Sequence, residues 1–512
     1  MWRTAQNTAR KTDGKKSWFS SFLWWFVIFT AAWWMIGVFM RPTTKSTDVE
    51  TSAPAAIDVS AVPVQNIASQ KVSYDVRGLR VNNFMLNDFS DSVTLLPAGD
   101  DAYMEIGFVS QNTTVPTAAT VWRTPTSNQL TWRNNVGVEF SRTISDDDYL
   151  ITVTDTIKNN TSAPIAIAPY VHIMRPSHKG TSSGVYTGAI AYANSDVEHH
   201  DWRSLDKKSY AYTTTNGFVG FADQYWETVA SIDAPDQTIR MKKSGEMYSA
   251  DAAAGAVVVN PGDEKTIRTN IFAGPRDQAA LNAASKTITG INKTVDYGWF
   301  WFLARPMLWL LNAINAMVMN YGIAIIIMTL LLRVLMWPLT RKSYVSMAAM
   351  QKMQPEMARI QKLYANNKMR LQMEMMRLYR THKTSPMSGC LPMLIQIPIF
   401  FALYKALLIS VPMRGAHFLW IHDLAAMDPY FILPILMGAT MWVQMRLQSP
   451  ANKSANGAAS DVAAHSMRVM KWMPVVFTVL FAWMPAGLVL YWTVSNVFGL
   501  VQMYVIRRRM DK

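Results

Sequence analysis

Residues 323–340, IAIIIMTLLLRVLMWPLT, place one arginine inside an apolar run. Arginine keeps its proton in a protein, and at the centre of a bilayer span it costs roughly 2.5 to 3.5 kcal/mol even on the mildest scale. A residue that expensive faces water, a partner or a polar passage. Thr329 precedes Arg333 by four positions, so the two share a helix face. Gln396, Lys405, Ser495, Asn496 and Gln502 also interrupt apolar stretches. Single hydroxyls and amides of this kind ordinarily tie helices together. Arg333 differs, because it lies eight residues before Arg341, about 12 Å along a helix and beyond comfortable snorkelling reach. Lys405 is close enough to Val411, about 9 Å, to snorkel outward. The chemistry on offer is solvation and attraction of polar groups inside lipid.

Bond-making chemistry is not written here. The single cysteine, Cys390, excludes an intramolecular disulfide and any Cys-rich metal site. There is no glycine-rich phosphate loop, nucleophile elbow or paired His/Glu on an apolar stretch. His199-His200-Asp201 in EHHDW could be a metal or acid/base cluster, but no further ligand stands at metal-site spacing, so a surface loop is expected. No cofactor and no metal are expected.

The elements that carry the polar residues belong to a membrane protein. The chain has 512 residues, 50% hydrophobic and only 16% charged, with 34 Met and 19 Trp. Its net charge of +14 is unevenly spread: residues 41–298 hold 22 Lys and Arg against 28 Asp and Glu, so the basic excess flanks the apolar runs. That is the positive-inside pattern and not a nucleic-acid footprint.

Residues 1–17 are basic, and 18–40 form a charge-free stretch about 34 Å long as a helix, an uncleaved anchor. Residues 41–70 read as a flexible linker. From 71 to 285, short alternating runs such as YLITVTDTIKNNT and IAIAPYVHIM end on turn residues and predict a large all-β sandwich across the membrane. Residues 299–315 carry Arg305-Pro306 and an aromatic cluster, fitting an amphipathic helix in the interface. Spans follow at 317–338, 389–411, 430–446, 469–484 and 487–506, with a loop at 447–468 and a basic tail at 507–512. Two are short, at 430–446 and 469–484, which fits a thinned bilayer beside them. Six spans put both termini inside, where the loops hold 5, 10, 4 and 4 basic residues, against Arg414 alone in the outside loop 412–428.

The inside segment 341–385 repeats Met347, Met350, Met353 and Met357, then, after YANNK, Met369, Met373 and Met376 at helical spacing. Two amphipathic helices in a hairpin follow, whose methionines either glue the helices together or offer a soft docking surface.

From about 294 to 506 the chain resembles the YidC family of membrane protein insertases, in the form with a large periplasmic domain. TVDYGW, RVLMWPLT, SPMSGCLPMLIQIPIFFALY, LWIHDLAAMDPYFILPILMG and WMPAGLVLYWTVSN stand in that family's order. The resemblance implies a five-helix core around a hydrophilic groove open to the cytoplasm and lipid. It also implies a periplasmic β-supersandwich shaped like sugar mutarotases. Arg333, Thr329 and Gln396 fall on the groove positions. The substrate slide path maps to Ile397, Pro398 and Phe400 on one side and Phe477, Leu480, Phe481 and Met484 on the other. Lys405 departs from the aromatic residue expected at its place. Implied partners are nascent membrane proteins, the Sec translocon, the ribosome and the lipid bilayer, without nucleic acid. A small-solute or anion transporter using Arg333, and a membrane-anchored sugar-active enzyme, are the competing functions; no internal repeat supports the transporter.

Overall fold

Alternation of period two in strands such as Leu150–Asn159 and Ile165–Pro176, beside wholly buried strands such as Gly188–Ala193, builds two packed sheets over residues 65–275. A computed structural model describes residues 58–448 and 472–510, apart from 90–92, 100, 127, 178–184, 365–366 and 383–390. The anchor expected at 18–40 and all but the first two residues of the loop expected at 447–468 lie outside the described residues.

The sandwich packs a ten-stranded sheet on a nine-stranded one, all pairings antiparallel. Ile165–Pro176 illustrates the rule: Ile167, Val171 and Ile173 point into the core while His172 and Met174 lie on the outer face. The expected linker ends earlier than 70. Gln65–Ala68 pairs with Val72–Arg77, and Val59 and Val62 are buried, Val62 beside Trp122.

The inward face of the nine-stranded sheet includes a charged pair, Arg142 and Asp155. Arg142 is 1% exposed, its Nε 2.8 Å from Asp155 directly across the pair of strands, and its Nη2 donates to the Ile106 carbonyl of the opposite sheet at 2.8 Å. One guanidinium therefore joins the two sheets.

EHHDW is not a surface loop. Asp196–Asp201 is a strand paired with Gly188–Ala193, His200 is buried with its ring 3.5 Å from that of Tyr210, and its Nε2 meets the Tyr212 hydroxyl at 2.7 Å. Asp201 caps the short helix α1, Trp202–Leu205. Among the described residues no cluster fit for a metal occurs. Burial, helped by His199 and Lys208, pushes His200 down to about 4. The unfolded chain binds this proton near 6.5, so the stability conferred by the neutral ring is complete above that pH and is lost as pH falls towards 4. The full loss is on the order of 3 kcal/mol. His200→Gln should flatten thermal stability of the purified protein between pH 6.5 and 4.5; an unchanged slope would assign the acid sensitivity elsewhere.

After α2 (Gln278–Ala284), the helical part begins. Helix α3, Trp301–Val318, buries Ala304, Met307, Leu311 and Ile314 along one stripe and exposes Trp301, Phe302 and Trp309 on the other side. The long apolar stretch breaks at Met319, in left-handed conformation, and Asn320, whose side chain accepts from Ile323 N to start α4, Tyr321–Leu335. The helix that carries the expected crossing segment thus starts at 321. It ends at Leu335, where the chain turns by 63° into α5, Trp337–Lys352. Pro338 cannot donate to the ladder and its ring crowds the preceding turn, which accounts for the bend. The hairpin therefore has a continuous helix leading into it, followed by α6, Gln354–Leu363, and α7, Lys368–Thr381.

Helices α8 (Leu391–Ile409), α9 (Ile432–Gln448), α10 (Trp472–Phe481) and α11 (Ala486–Met510) complete the described core. Among the described helices only α11, over Ala486–Ile506, is by itself long and apolar enough to cross a membrane, joined by α4 with α5 if that bent pair is one span. Gly438 lets α9 approach α10 closely: a Cβ there would stand 1.9 Å from Thr478 Oγ1. Asp428, 1% exposed, organises the preceding loop by accepting from Trp420 Nε1, Tyr430 N and Leu433 N.

Candidate functional site

Arg333 sits in the last turn of α4, where the carbonyl end of the helix favours a cation. Its Nε donates to Ser495 Oγ of α11 at 2.7 Å, and Nη2 reaches the same oxygen. One turn earlier on α11, the Tyr491 hydroxyl accepts from Gln396 Nε2 of α8. Ser495 and Tyr491 are themselves buried, so α11 presents a two-rung polar ladder that collects one side chain from each of two neighbouring helices. Among the described residues, no carboxylate forms an ion pair with Arg333. Its charge is half-exposed and held by a neutral hydroxyl.

Thr329 is placed differently from a lining group. It is fully buried, and its hydroxyl donates to the Ile325 carbonyl of its own helix at 2.6 Å. A threonine satisfied by the preceding turn leaves Arg333 and Gln396 as the polar pair. Asn496 and Gln502 face elsewhere: Asn496 reaches Thr440 of α9 at 3.4 Å, and Gln502 is buried with no hydrogen-bond partner among the described residues.

The apolar candidates on the two sides meet around one ring. Phe400 of α8 lies 6.0 Å from Phe481 and 5.0 Å from Trp492 by ring centroids, while Phe477 lies 5.8 Å from Phe481 and 6.2 Å from Trp492. Phe481 is 3% exposed, whereas Ile397 and Leu480 face outward. Pro398 lies within α8, and Met484 packs against the core just beyond α10. Trp492, on α11 between the two polar rungs, was not singled out by sequence. It stands in WMPAGLVLYWTVSN one residue after Tyr491, and a Tyr-Trp pair within an apolar helix is the signal that could have flagged both.

The methionines divide. Met353 is buried at the break between α5 and α6, and Met347 packs beside Tyr344, Met503 and Ile506. Met350 and Met357 are half-buried. Met369, Met373 and Met376 are 76%, 59% and 50% exposed, because α7 turns Leu371, Met375 and Leu378 inward instead. The α6 and α7 arms are joined by His382 and Glu356 at 3.4 Å.

Comparison with known proteins shows the family. Residues 313–512 match the family described as 60Kd inner membrane protein, and residues 65–310 match the YidC periplasmic domain. A membrane protein insertase YidC from Magnetococcus marinus is 36% identical over 395 residues, covering 75% of this chain and 69% of that protein. The one from Mesorhizobium japonicum is 34% identical over 492 residues, covering 85% and 79%. A crystal structure of an active YidC insertase shares 18% identity with a TM-score of 0.38, over 94% of this chain and 98% of that one. Between an insertase, a solute transporter and a sugar-active enzyme, the two family matches decide for the first: the chain belongs to the YidC family, non-enzymatic membrane protein insertases of the inner membrane that carry a periplasmic β-domain.

Proposed function

We propose that Arg333, Gln396, Ser495 and Tyr491 form the polar floor of a groove that receives the hydrophilic tail of a nascent membrane protein, while its apolar helix leaves past the aromatic cluster. The observation that carries this reading is the convergence of polar side chains from α4 and α8 on one turn of α11. The barrier to moving a polar tail through lipid is desolvation, so a cation and hydrogen-bonding groups held partway across lower it without covalent chemistry. Thr329 supports Arg333 by bracing the helix from which it projects. Six spans, five of them in the core, with the inside termini deduced from the charge pattern, complete the arrangement.

Ile397 and Leu480, exposed at the edges of α8 and α10, give the departing helix an apolar exit into lipid. Phe400, Phe477, Phe481 and Trp492 form its inner wall. A photocrosslinker placed at Gln396 or Ser495 should capture the tail of a stalled nascent chain, and one at Leu480 its apolar segment. Labelling of the tail only from lipid-facing positions such as Trp483 would reject the groove.

The hairpin is the capture element, with ribosome and Sec translocon as its neighbours on the substrate's route; the ten basic residues of 341–383 and the three exposed methionines of α7 support this. Replacing Met369, Met373 and Met376 together by Ser removes no buried contact. It should lower crosslinking of nascent chains to the hairpin several-fold while leaving thermal stability within about 0.5 kcal/mol. Wild-type capture by this variant would end the docking role.

A further inference from the structure

Lys405 is the one charge within α8, nine residues beyond Gln396. It does not reach into solvent: its side chain is 16% exposed and its Nζ lies 3.1 Å from Asp296 Oδ2. The lysine stem runs over Gly298, whose φ of +69° belongs to the left-handed region and whose missing Cβ would come within 3.8 Å of that stem. The Gly298 amide donates to Asp296 Oδ1 at 2.7 Å, so the carboxylate is oriented from both sides. Burial pushes the Asp296 carboxyl up, but the Lys405 ammonium and the Gly298 amide outweigh it and hold it below the usual carboxylate range. One turn on, the Leu408 carbonyl accepts from Gln224 Nε2 of the β-domain at 3.0 Å.

The segment that carries Asp296 is fastened in turn to the sandwich. Thr294 is fully buried; its hydroxyl donates to Glu227 Oε1 at 3.1 Å and its carbonyl accepts from Arg276 Nη2 at 2.5 Å. Arg276 also donates to the Asp223 carbonyl at 2.9 Å and pairs with the fully buried Glu227. Tyr297, buried, donates to Gln278 of α2 at 2.8 Å. A continuous set of contacts thus runs from the sheet through residues 294–298 to the outer half of α8.

We infer that Lys405 is a positioning residue for insertion: its ion pair with Asp296 latches the outer half of α8 to the β-domain and thereby holds Gln396 and Phe400 in register with α11. Beyond the hydrogen bonds of Gln396 to Tyr491 and of Gln224 to the Leu408 carbonyl, the sequence of α8 is almost wholly apolar, and a charge that must find one carboxylate adds a further constraint on its sliding and rotation in lipid. The inference rests on the groove reading for why that register matters. The β-domain then acts as the fixed frame of one groove wall.

The test uses the full chain with Cys390→Ser, reconstituted in vesicles, and two readouts: insertion rate, and register reported by a short bifunctional thiol crosslinker between Phe400→Cys and Trp492→Cys. Insertion is read in parallel in the same background without the reporter cysteines. Lys405→Glu, which sets two carboxylates against each other, should cut both readouts about tenfold, and Asp296→Lys should do likewise. The exchanged pair, Lys405→Glu with Asp296→Lys, should return both to within twofold of the parent. Lys405→Met, which keeps the stem and folds in lipid without a charge, should lose register several-fold while keeping the protein intact. Parental register in Lys405→Met, or no recovery in the exchanged pair, overturns the latch. Register lost in the single variants and restored by exchange, with insertion unchanged throughout, upholds the latch and sinks the groove reading instead.

Discussion

Arg333→Glu is expected to stop insertion of substrates whose translocated tails carry acidic residues. Arg333 projects from the last turn of α4 onto Ser495 and has no carboxylate partner among the described residues, so its charge is available to a passing group. At an effective dielectric near 20, one unit pair 4 Å apart gains about 4 kcal/mol before desolvation. If a third of that survives, each aspartate in the tail is helped by about 1.4 kcal/mol, a factor of about ten. Reversal should therefore cost more with every added charge. Tails with zero, one or two Asp, followed by protease protection, give the series. Arg333→Lys should retain most activity, since one ammonium can still donate to Ser495 and still attract an anion. Equal loss across the three tails would leave Arg333 only a structural role.

The second large effect lies in the periplasmic domain. Asp155→Ala strands the Arg142 guanidinium, 1% exposed, between two sheets with only the Ile106 carbonyl left of its two named partners. Breaking a buried pair from one side costs about 3 to 5 kcal/mol. For a domain near 200 residues that lowers its unfolding temperature by about 10 °C. The paired replacement Arg142→Met with Asp155→Leu should restore much of this, because the uncompensated charge is gone. Thermal unfolding of the purified protein, followed in the β-domain, measures both. A drop below about 1 kcal/mol in the single variant would mean that water reaches the pair.

These two sites differed in how far they could be seen beforehand. An arginine amid IAIIIMTLLL breaks a rule of lipid solubility so plainly that its residue number alone poses the question. Arg142, in VEFSRTISDD, shares the inward face of its strand with Val138, Phe140 and Ile144, so alternation marks the position as inward, but only the fold supplies its partners, Asp155 across the strand pair and the Ile106 carbonyl of the opposite sheet. His200 was missed for a related reason: two adjacent histidines beside an aspartate read as polar surface until Tyr210 stacks upon one of them.

By itself the sequence determined the class of protein, because hydropathy, charge asymmetry and period-two alternation are local quantities that each segment carries alone. It determined the family too, through apolar signatures in fixed order. What it could not carry was partnership. Ser495 as the acceptor for Arg333, Tyr491 for Gln396, and Asp296 for Lys405 are pairs separated by 162, 95 and 109 residues. The same holds for the inward turn of Met375 in place of Met376, set by the face that α7 offers to α6. Such choices depend on how helices rotate and stack once assembled, and a polar side chain within an apolar environment takes whichever partner that packing brings within hydrogen-bond reach.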